Sequence, residues 1–344
     1  MAYTTINKST DYFNTVTWTG DNGTSRSITG VGHQPDWTWI KHRNGSSGHH
    51  VYDSARGVEK RIRTDTNAAQ TDVTNGLTAF GTDGFTVGNN SAVNGSGNTF
   101  VAWNWKANGA GSANTAGTIN STVSVNTTAG FSIVKWTGNG VAGASIGHGL
   151  GVVPKLIIVK RLNDTANWTV YHASLGNTHR VELNETGAST SDAGAWNNQT
   201  PTTTLFYTGN NLTVGNNGSD YIAYCFAEKT GYSKFGSYTG NGSADGTFVY
   251  TGFKPSFVMI KEVSSSGYQW TIVDNKRSTS NSSSMKWLFP DNSGAETTES
   301  TWDLLSNGFK QRANHSYVNH SGTHIYMAFG QSLVGSNNVP CTAR

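Results

Sequence analysis

The sequence predicts an all-β protein of three tandem antiparallel, jelly-roll-like β-sandwiches, and three observations predict it. One phrase is written three times: Gly, two residues, Pro, then an alternating apolar run closed by Lys, at Gly32–Lys41, Gly151–Lys160 and Gly252–Lys261. Charged residues make up only 13% of the 344-residue chain, and Gly, Ser, Thr and Asn fill the space that Glu, Lys and Arg would occupy on exposed helix faces. Short alternating runs are separated by Asn-Gly, Asp-Gly and Gly-Ser turns, with no sustained i, i+3, i+4, i+7 apolar spacing.

Each copy has the same parts in the same order. An aromatic-Thr-Gly turn (Trp18-Thr19-Gly20, Trp136-Thr137-Gly138, Tyr238-Thr239-Gly240) precedes the motif glycine by twelve or thirteen residues. Gly32, Gly151 and Gly252 are expected to supply a positive φ, and the Pro three residues later fits the first position of a strand, where its missing N–H does no harm. In the run that follows, Trp37 and Trp39, Leu156 and Ile158, Phe257 and Met259 are the alternate members expected to bury one face. The closing Lys reads as a side chain snorkelling at the strand end rather than as a ligand. A second run follows (His49–Asp53, Trp168–His172, Trp270–Asp274), and a Gly/Asn-rich turn leads into a last strand (Phe100–Trp105, Tyr221–Phe226, Ile325–Phe329). Units of this length can each hold a small core.

The units are expected at 1–117, 118–231 and 232–344. Ala107–Gly117 reads as a Gly/Ala/Asn linker giving freedom between the first two units, against a stiffer junction at Tyr232. Thr118–Val125 reads as an extra strand, and Leu333–Arg344 as a tail without counterpart.

Candidate chemistry is sparse. Asp53 and Asp274 share a register position, but the second copy has His172 there, so the position reads as an exposed strand end rather than as half of a glycosidase carboxyl pair. His315, His320 and His324 match no standard zinc spacing, and neither they nor His49-His50 are expected to bind metal. Gly147–Gly151 reads as a turn, since the other copies have ordinary turn residues there, and the chain shows no phosphate-binding loop, nucleophile elbow or Cys-x-x-Cys. No catalytic, cofactor or metal residue is therefore assigned, and no cofactor is expected. Trp168 and Trp270 read as core, whereas the loop aromatics Trp196, Trp287 and Tyr268 are the better candidates for contact surfaces. The net charge of +3 selects no partner, and Lys60-Arg61-Ile62-Arg63 reads as a solvated strand or loop rather than a nucleic-acid patch. Cys225 reads as a core thiol, and Cys341 as part of the tail, without a disulfide framework. The absence of a basic and apolar leader after Met1 points to synthesis in a cytoplasm, and no run is long enough to span a bilayer.

Gly252–Lys261, Tyr221–Glu228 and Gly231–Gly242 resemble a repeat family of virion proteins from marine and cyanobacterial phages, a likeness running from about Asp11 to Phe329. The resemblance implies a non-enzymatic virion surface protein: a tail-fibre or spike component that adheres to host-surface glycan. The alternative is a head-decoration protein without a host ligand, and a polysaccharide-degrading tail spike is the third reading. It further implies other virion proteins and a host cell-surface glycan as partners and a homo-oligomer, for which a trimer is one expected form although nothing in the sequence fixes the number. Nucleic acid and membrane are not expected partners. Fibres of this kind normally begin with an anchoring segment and often a shaft, whereas the repeats here start within about a dozen residues of Met1, which favours the decoration reading; the repeats themselves and the family likeness favour adhesion.

Overall fold

A computed structural model describes residues 4–278, 281 and 284–332. Cys341 and the tail lie outside the described residues. The fold is almost entirely antiparallel β, in paired sheets, without a barrel.

The three motif runs occupy one place in three sheets. In the first, the order is Phe13–Thr19, Thr99–Trp105, Trp37–His42, His49–Asp53, then Gly57–Arg63 and Thr71–Asp72. The second follows the same order with Phe131–Thr137, Asp220–Phe226, Leu156–Arg161 and Thr169–His172, and the third with Ser233–Thr239, Thr323–Ser332, Phe253–Glu262 and Thr271–Asp274. Register matches residue for residue. Trp37 stands between Trp105 and Asp53, Leu156 between Phe226 and His172, Phe257 between Phe329 and Asp274. A smaller sheet covers each large one: Arg26–Thr29, Gly84–Val87 and Leu77–Gly81 in the first unit, Ala144–Gly147 and Leu205–Thr208 in the second, and Phe248–Tyr250, Gly308–Gln311 and Trp302–Leu305 in the third.

The motif glycines have the expected positive φ (86°, 73° and 83°). Pro35 and Pro154 precede their strands, but Pro255 lies inside Phe253–Glu262, where a register shift absorbs it. Lys60–Arg63 is a partly exposed strand, as read, and the extra strand forms at Ser121–Asn126.

Two expectations are corrected. The motif strands do not bury one face; they bury both, with every residue of Trp37–Lys41, Leu156–Arg161 and Phe257–Glu262 buried. Ile40, Ile157, Val159, Val258 and Ile260 face the smaller sheet of their own unit. Trp37, Trp39, Leu156, Ile158, Phe257 and Met259 face the other way, into one core that all three units share. At its centre Trp105, Phe226 and Phe329, equivalent residues of the three last strands, form a triangle with centroids 6.3, 5.9 and 5.7 Å apart, each pair edge to face.

The second correction is the linker. Ala107 is buried, its N–H and that of Gly109 donate to the buried Asp36 carboxylate at 2.7 and 2.9 Å, and Asn108 donates to Ser124. Ser112–Asn114 pairs with Ser121–Asn126 and so belongs to the second large sheet. The segment is fixed on both sides, which removes the freedom read from its Gly and Ala content.

Candidate binding site at the seams

The closing lysine of the motif decides how the units meet. Lys41, Lys160 and Lys261 are fully buried rather than snorkelling. Each ammonium donates to a carbonyl of another unit: Lys41 to Ser293 at 3.2 Å, Lys160 to Asn67 at 3.0 Å, Lys261 to Thr186 at 3.3 Å. That same carbonyl also accepts the N–H of the residue six positions after the lysine, Ser47, Ala166 or Gly267, at 3.0, 2.9 and 2.8 Å. Three residues beyond the carbonyl, the N–H of Glu296, Gln70 or Ser189 donates back to Arg43, Leu162 or Val263. Unit one thus holds unit three, three holds two, and two holds one. The ring is closed.

Buried amines in this setting lose proton affinity. Burial pulls Lys160 down to about 7, and Lys41 and Lys261 to about 8. Asp65 and Asp291 oppose the fall at the latter two; the corresponding residue of unit two is neutral Asn184, which accepts the Trp168 N–H at 2.7 Å as Asp65 accepts that of His49 at 2.9 Å.

The Asp53, His172 and Asp274 position is also a seam position, not an exposed strand end; all three side chains are buried. Asp53 pairs with Arg56 at 2.6 Å and accepts the Tyr224 hydroxyl of unit two at 2.7 Å. Asp274 pairs with Arg277 at 2.6 Å and accepts the Trp103 indole N–H of unit one at 2.9 Å. Burial pushes the Asp274 carboxyl up, but the Arg277 guanidinium and its hydrogen bonds outweigh that and leave it below its ordinary value. Trp103, Tyr224 and Met327 are equivalent residues, opposite Trp39, Ile158 and Met259. Met327 has no donor to offer, and the position that would receive it is His172, with Leu175 where the others have Arg. His172 Nδ1 accepts the Ser174 N–H and Nε2 donates to the Tyr326 carbonyl at 3.2 Å; burial lowers this imidazole to about 4. The residue changes because its partner does.

The other candidates are likewise absorbed. His49 Nδ1 accepts the Trp39 indole N–H at 2.9 Å. His315 caps a short helix through the Tyr317 N–H, and His324 stacks on Tyr238 at 4.8 Å. Trp168 and Trp270 are buried as read, donating across seams to the carbonyls of Arg63 and Glu182. Trp196 and Trp287 are buried too, which removes them as contact surfaces; only Tyr268 stays partly open. Cys225 is a buried free thiol. Among the described residues no group of three His, Cys, Asp or Glu is placed to hold a metal ion, and no helix is long and apolar enough to cross a membrane.

Two grooves among the described residues lie at seams. The larger, about 620 Å³, lies between units one and two and is lined by Gln70, Asn120, Thr122, Lys135, Asn163 and Asp220 among others. Arg56 also reaches it, but its charge is spent on Asp53. Thr137 donates to Asp220 at 2.8 Å, and Lys135 donates across the seam to the Ala55 carbonyl at 3.2 Å. The second, about 480 Å³, lies between units one and three, beside Asn14, Thr15, Ser256, Asn275 and Lys276. Hydroxyls and amides dominate both linings, beside Trp136 and Leu162 in the first groove and Phe13 in the second; Lys135 and Asp220 offset each other in the first, whereas the second carries Lys254 and Lys276 with no carboxylate, and neither groove holds a nucleophile against a base. Sequence reasoning missed the ring, although its signal was present: lysine closes every copy of the motif, and an aromatic recurs at Trp105, Phe226 and Phe329.

Residues 8–332 match, in a single span covering all three units, the model of a family described as Domain of unknown function (DUF7483), and the chain belongs to that family. No curated protein matches the chain, and no solved structure does.

Proposed function

We propose that this member of the DUF7483 family is a non-enzymatic surface component of a phage virion, serving as a tail-fibre or spike element that adheres to host-surface glycan. The observation carrying the reading is the fate of the recurring reactive side chains. The lysines, the Asp–Arg pairs and His172 are consumed in holding three units together, and what faces the grooves is mainly a hydroxyl and amide surface. Both carboxylates are fully buried and bound to arginine, with no open face toward a sugar, so glycoside cleavage is not expected of Asp53 or Asp274. Single contacts of this kind are weak, and many copies on one particle convert them into avidity. Placement on the head is the second reading; the triangular arrangement of the units would match a threefold point of a shell.

The test is binding of the full chain to a panel of marine bacteria and cyanobacteria, free and on multivalent beads. Weak binding of the free protein, binding at least tenfold stronger on beads and no release of reducing sugar support adhesion. Sugar release overturns the non-enzyme claim. Binding to purified capsids but to no cell moves the protein to the head.

A further inference from the structure

The exposed large apolar side chains among the described residues are four scattered aliphatics, Val58, Val141, Val152 and Leu212, and one aromatic pair. The pair is Phe248, 43% exposed, and Tyr250, 52% exposed, with Val249 buried between them. They stand on the outer face of an edge strand of unit three, about 6.6 Å apart along the chain direction.

The repeats supply a control for this site. Val249 pairs with Phe309 as Ile28 pairs with Phe85 and Ile146 with Phe206. The equivalents of the two aromatics are therefore Ser27 and Thr29 in unit one, and Ser145 and Gly147 in unit two. Unit one presents hydroxyls to solvent, and unit two covers its strand with its own chain, the N–H groups of Thr118 and Ile119 donating to the Ser145 carbonyl. Unit three does neither. Burial in its own sandwich does not account for the rings, since both point away from that core.

The surroundings say what the rings would hold. Gly308 faces Tyr250 across the strands, and a Cβ at Gly308 would lie 3.0 Å from the Phe248 ring, so this ring rests against bare backbone and turns its other side outward. Lys310, directly opposite Phe248, pairs with the exposed Asp245 at 2.5 Å, and Lys234 Nζ lies 5.8 Å from the Tyr250 centroid. The rings leave roughly 200 Å² open between them. A stable protein partner needs about 800 Å² a side. An aromatic surface this small, rimmed by two ammonium groups, a carboxylate and a phenol, fits a ligand that is apolar on one face and hydrogen-bonding at its edges.

We propose that Phe248 and Tyr250 form a carbohydrate-stacking platform, binding the C–H face of a pyranose while Lys234, Lys310 and Asp245 meet its hydroxyls. The site gives the adhesion reading above a location and rests on it for its biological role. Folded full-length protein would be displayed on beads and applied to a microarray of bacterial and algal oligosaccharides, alongside Phe248→Ala/Tyr250→Ala and the ring-preserving Phe248→Tyr. The expected result is retention on a set of sugars, lost at least tenfold in the double variant and kept in Phe248→Tyr. Equal retention by the double variant, or no retained sugar for the wild-type beads, overturns the platform. Self-association in sedimentation that the double variant abolishes overturns it in favour of a second copy. The two readings fail separately: cell binding that survives the double substitution leaves adhesion standing without this site, and sugar retention without cell binding leaves the site standing without adhesion.

Discussion

A buried lysine is a costly residue, and this chain has three in register, each directing its ammonium at backbone carbonyls of two segments. Lys160 donates to Asn67 at 3.0 Å and to Ala166 at 2.7 Å, joining units one and two at one atom. Its pKa falls to about 7 in the folded state through burial, from an ordinary lysine value near 10.5. Between these values the unfolded chain binds a proton that the folded chain does not, so stability rises with pH over that window. Urea midpoints measured from pH 7 to 9.5, below the range of tyrosine ionisation, are expected to climb. The slope is expected to be shallower in Lys160→Met, with Lys41 and Lys261 supplying the remainder from about pH 8. An unchanged slope would mean that Lys160 keeps its proton in the fold.

At the scale of the element, the motif strand is a wall between two cores. Its odd and even residues serve different masters: one set the sandwich of its own unit, the other the shared centre. The strand after it ends at the seam, where its last residue must satisfy a side chain from a neighbouring unit. His172→Asp places a carboxylate beside Met327 and Leu175, with neither the arginine nor the donor that Asp53 and Asp274 enjoy. The loss is expected to be about 3–5 kcal/mol, the cost of an uncompensated buried charge. Adding Leu175→Arg and Met327→Tyr copies the Asp53–Arg56–Tyr224 arrangement and is expected to recover more than half of it. Denaturant titration of the full chain measures both; a loss under about 1 kcal/mol in the single variant would show that the position is more open than its burial indicates.

For the whole molecule, the shared core makes the three units one cooperative body. A unit cut out alone, such as 118–231, would turn Leu156, Ile158, Tyr224 and Phe226 to water. Each fully buried side chain of this size is worth about 1.5–3 kcal/mol, so the four together approach the whole stability of a small domain. The full chain is expected to unfold in a single calorimetric transition, and the 118–231 fragment to show no sharp melt. Three resolved transitions, or a fragment melting near the temperature of the full chain, would overturn the shared-core account. The threefold arrangement expected of subunits in a surface projection is already present within one chain.

Much of this was legible in the residues. Repetition, alternation and turn chemistry specify the strands, the positive-φ glycines, the extra strand at Ser121–Asn126 and the burial of all six alternate motif residues, because these depend on local geometry and on the side of a strand a residue faces. What alternation cannot say is whether the second face is wet. Ile40 or Val258 reads as the polar-side neighbour of a core residue until a second sheet is laid on it, and Trp37 reads as the core of its own unit until Tyr224 stacks on it at 4.5 Å from the next. Lys41, Lys160, Lys261 and the Asp53, His172, Asp274 series were visible as recurrences, yet their partners lie 75–252 residues away in the sequence. A snorkelling lysine and a buried seam lysine are the same letter. Only closure of the ring, which brings distant carbonyls within hydrogen-bond reach of each ammonium, decides between them.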